Sequence, residues 1–142
     1  MLIRPANIED AQIVYQFVCE LEHISFDFPL FERIFLRNIH LPNYYYLVSE
    51  QKGKIVGFIS CHAQNLLHHC GMVGEIQELF ILNEYRNKGI GQALMLELER
   101  IAQNNGWVNL EVTCNKKRLA THSFYKQIGF AETHYKYVKT IG

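Results

Sequence analysis

The sequence lacks any apolar run long enough to cross a membrane. Its first residues, "MLIRPANIED", also lack the basic-then-apolar pattern of a secretory signal. Charge imbalance is missing too: Lys and Arg together number 14, and so do Asp and Glu. A balanced chain offers no basic face for bulk nucleic-acid binding, although a local basic patch remains open to it. There is no CxxC pair. Cys19, Cys61, Cys70 and Cys114 are scattered and read as reduced thiols, mostly packed in a core. Internal repeats, low-complexity tracts and linkers do not occur. These absences leave the expectation of a cytoplasmic protein, one domain over residues 1–142, with neither nucleic acid nor membrane as partner. What is present agrees: a hydrophobic share of 49% with 20% charged residues suits a globular chain with a real core.

Periodicity then orders the elements. "LIRPA" reads as a short strand. In "NIEDAQIVYQFVCELEH", Asn7 is a natural N-cap, and Ala11, Val14, Phe17, Val18 and Leu21 recur at helical spacing. A second short helix is expected after "DFP", with Phe31, Ile34 and Phe35 on one side. "YYYLVSE", the turn "QKGK" and "IVGFISCHA" read as an antiparallel hairpin. After the loop "NLLHHCG" come a long strand, "MVGEIQELFIL", and a helix striped by Ile90, Leu94, Leu98 and Ile101. A further strand, "VNLEVTC", precedes a helix striped by Ala120, Phe124 and Ile128, and "FAETHYKYVKT" reads as a closing strand. The order β-α-α-β-β-β-α-β-α-β predicts an α/β domain with a mixed sheet of about six strands flanked by four helices.

The stretch "RNKGIG" (Arg86–Gly91) lies where the long strand meets the third helix. A Walker loop needs Gly-Lys-Ser/Thr, but here Lys88 precedes Gly89 and neither hydroxyl residue follows. A dinucleotide fingerprint needs a third glycine near Leu94 and a parallel βαβ unit. What remains is a helix start rich in glycine and cations. Its free amides and positive dipole end suit a phosphate or pyrophosphate. From these residues alone, a strand-helix turn with a solvated basic rim stays equally open.

Two acids sit in the apolar strand "GEIQELFIL". Burying Glu75 or Glu78 is costly unless the carboxylate is paired or faces a cleft. Three apart, they should point to opposite faces unless a bulge intervenes. Tyr125 lies one residue off the fourth helix's apolar stripe, so its hydroxyl could leave the core for a cleft.

Arg86-x-x-Gly89-x-Gly91 after "ELFIL", with this element order, resembles the acetyl-CoA pyrophosphate motif and fold of the GNAT superfamily of N-acetyltransferases. "CEL" (Cys19–Leu21), "LHH" (Leu67–His69), "GEIQEL" (Gly74–Leu79) and "AxHxFY" (Ala120–Tyr125) are similar to the aminoalkylphosphonate N-acetyltransferase branch. The resemblance spans essentially the whole chain. Asn87 departs from it, standing where a glycine is common.

The resemblance implies a sheet splayed at the acetyl-CoA site, with backbone groups of Phe80, Ile81 and Leu82 freed for the cosubstrate. Arg86, Asn87, Lys88, Gly89, Ile90, Gly91 and Gln92 would hold the pyrophosphate, and Asn115 the pantetheine arm while also capping the next helix. Glu75 is then the expected base, Glu78 the second choice, and Tyr125 the acid for the leaving thiolate. Lys116, Lys117 and Arg118 are either a solvated run or a contact for the CoA 3′-phosphate or an anionic substrate.

His68 and His69 read as part of a substrate-side loop, since neighbours in sequence rarely chelate one ion. The branch's association with divalent metals keeps them as candidate ligands. The expected reaction is direct acetyl transfer to a small primary amine such as an aminoalkylphosphonate. A polyamine, amino acid, aminoglycoside or protein N-terminus is the alternative acceptor. A CoA-binding sensor without turnover is the alternative class, and a homodimer is compatible with the resemblance.

Overall fold

The computed structural model describes residues 1–142. Strand β1 (Leu2–Pro5) leads through a 3-10 turn into helices α1 (Ala11–Glu22) and α2 (Phe28–Asn38). Strands β2 (Tyr44–Gln51), β3 (Lys54–Leu66) and β4 (Gly71–Ile81) follow, then α3 (Ile90–Asn104), β5 (Asn109–Val112) and α4 (Leu119–Gln127). The sheet order is β1-β2-β3-β4-β5. Its first three pairings are antiparallel, and β4 with β5 is parallel.

Local chemistry explains the boundaries. The Asn7 side chain accepts from the Glu9 amide, and the Asp10 carboxylate accepts from the Asn7 amide at 2.8 Å, closing a capping box before α1. Asp10 also takes two hydrogen bonds from Arg4 on β1, at 2.8 and 3.1 Å, tying that helix entry to the sheet. Asp27 caps α2 through the Leu30 amide. The two-residue turn Lys52-Gly53, both with positive φ, joins β2 to β3 as the hairpin pattern predicts.

Each sheet face carries its own core. Against one pack Val14 and Phe17 of α1 and Phe35 of α2, meeting Val48, Phe58 and Phe80. Against the other pack Ile90, Leu94, Met95 and Leu98 of α3, meeting Val56, Ile59 and Ile76. The α3 stripe is as predicted, with Met95 added. On α4, Phe124 and Ile128 pack against the core as predicted, but Ala120 is exposed and Tyr125 is the buried residue, between Phe124 and Phe130.

The expected sixth strand does not form, so the sheet has five strands rather than about six. Beyond α4, Tyr135, Tyr137, Val138 and Ile141 are exposed, and the Phe130 amide bonds only back to the Tyr125 carbonyl. Alternation says which face of a strand would be buried. A strand also needs a hydrogen-bonding edge, and no strand pairs with this segment.

Candidate active site

Two irregularities of β4 create the site. The first is a bulge. Glu78 pairs with Ser60 and Ile76 with Cys61, so Gln77 has no partner across the ladder. Glu75 pairs with His62, two residues from Ser60. The extra residue therefore brings Glu75 and Glu78 to one face, the face of Ser60 and His62. The second irregularity is a splay: β5 pairs with β4 only from Val73 to Ile76. Past Ile76, β4 keeps its β3 neighbour and leaves its other edge open.

A cleft of about 160 Å³ fills that splay. One wall is Ile76, Gln77, Glu78 and Leu79; the other is Val112 to Asn115 and, from α4, Arg118, Thr121 and Tyr125. Leu21 and Glu22 at the end of α1 close it. The volume holds roughly five water-sized groups, which suits a short acceptor or the reacting end of a longer one.

Glu78 is half-buried in this wall. Ser60 donates its hydroxyl to the Glu78 carboxylate and accepts the Glu78 amide at 3.0 Å. Burial raises its pKa above the ordinary carboxylate value; the Ser60 bond opposes the rise and nearby Glu22 adds to it. Tyr125 is 7% exposed, and burial followed by Cys114 pushes its phenol up to about 12, with Arg118 acting against them. The hydroxyl makes no hydrogen bond within the chain and is not sealed off, so it is available to a molecule in the cleft. Glu75 is half-buried like Glu78 but stands apart from the lining, and its carboxylate accepts from Gln77 at 3.2 Å.

The glycine stretch abuts the cleft. Gly89 (φ 81°) and Asn87 (φ 60°) are both left-handed, which explains why glycine is usual at the latter; Asn is among the side chains that tolerate it best. The Ile90, Gly91 and Gln92 amides begin α3 and have no intrahelical acceptor. A Cβ on Gly91 would lie 3.4 Å from Phe124, so this glycine lets α3 approach α4 beside Tyr125. Arg86 turns back, its Nε donating to the Ile81 carbonyl at 2.9 Å and its guanidinium lying over Phe80. Lys88 lies over Tyr85.

Other expected residues are placed as follows. Asn115 accepts the Lys117 amide through its side chain at 2.9 Å, so it starts the turn into α4 while lining the cleft. Leu82 is not a freed backbone group: its amide donates to Val56 and its carbonyl accepts from Tyr85, each at 2.9 Å, because a 3-10 turn follows the strand immediately. His68 is exposed. His69 lies 3.4 Å from Glu111 in β5, and neither histidine lines the cleft. No three His, Cys, Asp or Glu side chains stand together as a metal ligand set. Sequence reasoning missed Glu22 and Ser60, which are remote from every motif and reach the site only through the fold.

A model of the acetyltransferase (GNAT) family matches residues 11–130. The aminoalkylphosphonate N-acetyltransferase of Salmonella typhimurium is 36% identical over 139 residues, covering 98% of this chain and 90% of that one. Among solved structures, a transcriptional regulator from Bacillus halodurans C-125 aligns with a TM-score of 0.90 at 20% identity over 99% of each chain. Glucosamine-6-phosphate N-acetyltransferase from Arabidopsis thaliana gives 0.82 at 19% identity over 99% of this chain and 98% of that one. At such identities these two speak to the fold alone. The family match and the 36% relative settle the class: the chain belongs to the GNAT family and is an N-acetyltransferase that uses acetyl-CoA on an amine.

Proposed function

We propose that the chain acetylates a small primary amine by direct transfer, that the acceptor is an aminoalkylphosphonate, that Glu78 takes the acceptor's proton, and that Tyr125 hydrogen-bonds the leaving sulfur rather than acting as its acid. The observation that carries this reading is the shared cleft: Glu78 and Tyr125 line opposite walls of the β4–β5 splay, one helical contact from the free amides that begin α3. The acceptor class is supported by the 36% identity over nearly the whole chain to a protein named for that activity.

The diphosphate of acetyl-CoA lies at the Ile90–Gln92 amides, and its thioester arm enters the splay past Asn115. An ammonium acceptor gives a proton to the Glu78 carboxylate, which its surroundings poise closer to neutrality than a free carboxylate. The amine nitrogen then bonds to the thioester carbon. The Leu82 amide donates to β3, so by alternation the Phe80 amide faces β3 too, and it is the Ile81 amide, on the open β4 edge, that supports the oxyanion. Collapse breaks the C–S bond and releases the thiolate, and the nitrogen, cationic after attack, gives its second proton to solvent.

Tyr125 donates a hydrogen bond to that sulfur. A phenol near 12 facing an alkyl thiolate of about 8.5 would give up its proton at a cost of about 5 kcal/mol. The hydroxyl therefore stabilises the sulfur without surrendering its proton, and solvent completes the thiol. Glu78 is placed ahead of Glu75, the first expectation for the base, because both are half-buried and only Glu78 lines the cleft.

The test is thiol release from acetyl-CoA with aminomethyl- and 2-aminoethylphosphonate beside polyamine, amino acid and aminoglycoside acceptors. Preferential turnover of the phosphonates supports the acceptor class. Turnover confined to the others removes it and leaves the enzyme class intact.

A further inference from the structure

Arg118 belongs to a run of three cations that sequence alone cannot separate, and the fold separates them. Lys116 is exposed with its ammonium over Tyr135, and Lys117 is exposed. Arg118 turns inward and lines the cleft with Glu78 and Tyr125. Its Nη2 donates to the Leu21 carbonyl at 2.8 Å, across 97 residues, which anchors the start of α4 to the last turn of α1. Glu22 Oε2 lies 3.8 Å away, close enough for charge attraction and too far for a hydrogen bond.

A guanidinium carries five N–H donors, and one is used within the chain. The remaining donors stand at a cleft that also holds two carboxylates, Glu22 and Glu78. Their mutual repulsion contributes to the raised Glu78 value, and the Arg118 charge reaches both Cys114 and Tyr125. A purely cationic acceptor would need the acids and meet repulsion from the arginine. A purely anionic one would meet the reverse. A molecule with an ammonium at one end and an anion at the other is matched by both.

We propose that Arg118 is the specificity-determining residue of the acceptor site: it holds the anionic group of a zwitterionic amine while Glu78, with Glu22 beside it, receives the ammonium end. This rests on the acetyltransfer reading above and deepens it, since the planar fork of arginine suits the paired oxygens of a phosphonate, carboxylate or sulfonate. The Leu21 bond supplies the positioning, fixing the guanidinium between α1 and α4 so that less side-chain freedom is lost on binding.

The experiment measures kcat/KM for 2-aminoethylphosphonate, taurine, β-alanine and n-propylamine, with acetyl-CoA saturating, in the wild type, Arg118→Gln and Arg118→Lys. Glutamine keeps a donor for the Leu21 carbonyl and removes the charge; lysine keeps the charge and removes the fork. The expected result is a fall on the order of 30-fold in the ratio of anionic to n-propylamine kcat/KM in Arg118→Gln, carried by KM, with partial recovery in Arg118→Lys. An equal loss on all four acceptors would overturn the proposal and give Arg118 to the chemistry or the fold. An unchanged ratio with a raised KM for acetyl-CoA would give it to the cosubstrate and overturn the proposal as well.

The arms also separate this inference from the phosphonate reading. A wild type that prefers taurine or β-alanine, with the ratio collapsing in Arg118→Gln, upholds the anion site and removes the phosphonate. A phosphonate preference untouched by Arg118→Gln does the opposite. A wild type that acetylates only n-propylamine removes both.

Discussion

Replacing Glu78 by glutamine should disable the enzyme and stabilise the fold, and the two effects have one origin. The carboxyl is half-buried in the β4 wall, where its charged form is disfavoured by desolvation and by Glu22. Glutamine preserves the volume and an oxygen to accept the Ser60 hydroxyl, but it cannot take a proton from the acceptor. Loss of a general base is worth about 10²- to 10⁴-fold, so kcat/KM at saturating acetyl-CoA should fall by at least 100-fold. The acid limb of its pH profile should vanish with it.

Stability should move the other way. The folded-state pKa lies above the unfolded one, so the carboxyl's contribution is full below the unfolded value and is lost as pH rises through the folded value. Thermal melting should therefore show Glu78→Gln at or above the wild type at pH 8. That advantage should shrink as the pH falls toward 4.5, the ordinary glutamate value. Glu75→Gln is the comparison, with an expected loss below about threefold because Glu75 lies outside the cleft lining. Turnover by Glu78→Gln within threefold of the wild type, or an unchanged acid limb, would refute the assignment. Collapse of Glu75→Gln alone would transfer the role to that residue.

Tyr125→Phe should lower kcat about 10- to 100-fold, the worth of one hydrogen bond to a charged sulfur, with acetyl-CoA affinity unchanged by calorimetry; a loss beyond 10⁴-fold would show that the phenol gives up its proton. Gly89→Ala places a Cβ in open space but forces it to φ 81°, which should cost about 1 kcal/mol in denaturant unfolding. Gly89→Glu adds an anion at the start of α3 and should weaken acetyl-CoA binding at least tenfold beyond the alanine variant; equal affinity would move the pyrophosphate elsewhere. Asp10→Asn should cost about 2 kcal/mol at pH 7. Burial pushes Asp10 up, but Arg4 and the Asn7 amide outweigh it and hold the carboxyl below its ordinary value, so the wild type should lose this contribution as pH falls below about 4 and the variant should not.

Elements whose information is local were legible from sequence. The α3 stripe, the Asn7–Asp10 cap, the Lys52-Gly53 turn and the order of strands and helices each depend on a few neighbouring residues, and each is present. Failures came where a partner decides. The segment after α4 alternates like a strand, yet no edge pairs with it. On α4, Phe124 and Ile128 pack against the core as read, but Ala120 is exposed and the buried residue is Tyr125, between Phe124 and Phe130. A tyrosine treated as an outlier to the stripe is thus part of the core and of the cleft at once.

The site was half legible for a related reason. Two glutamates three apart on a strand define opposite faces only if the ladder is regular, and nothing in "GEIQELFIL" announces that Gln77 is left out of it. That one unpaired residue decides which carboxylate matters. With it, Glu78 shares the face of Ser60, finds a hydroxyl to hold it and looks into the splay. Without it, the strict alternation of a strand would put Glu78 on the opposite face, the one covered by α3, where a carboxylate would meet Ile76 and Leu98 with no partner. Burying an acid is tolerable here because the bulge supplies both the hydrogen bond that holds the charge and the opening through which a proton can arrive. On the proposed reading, the irregularity that hides Glu78 from the sequence is what would allow it to act as the base.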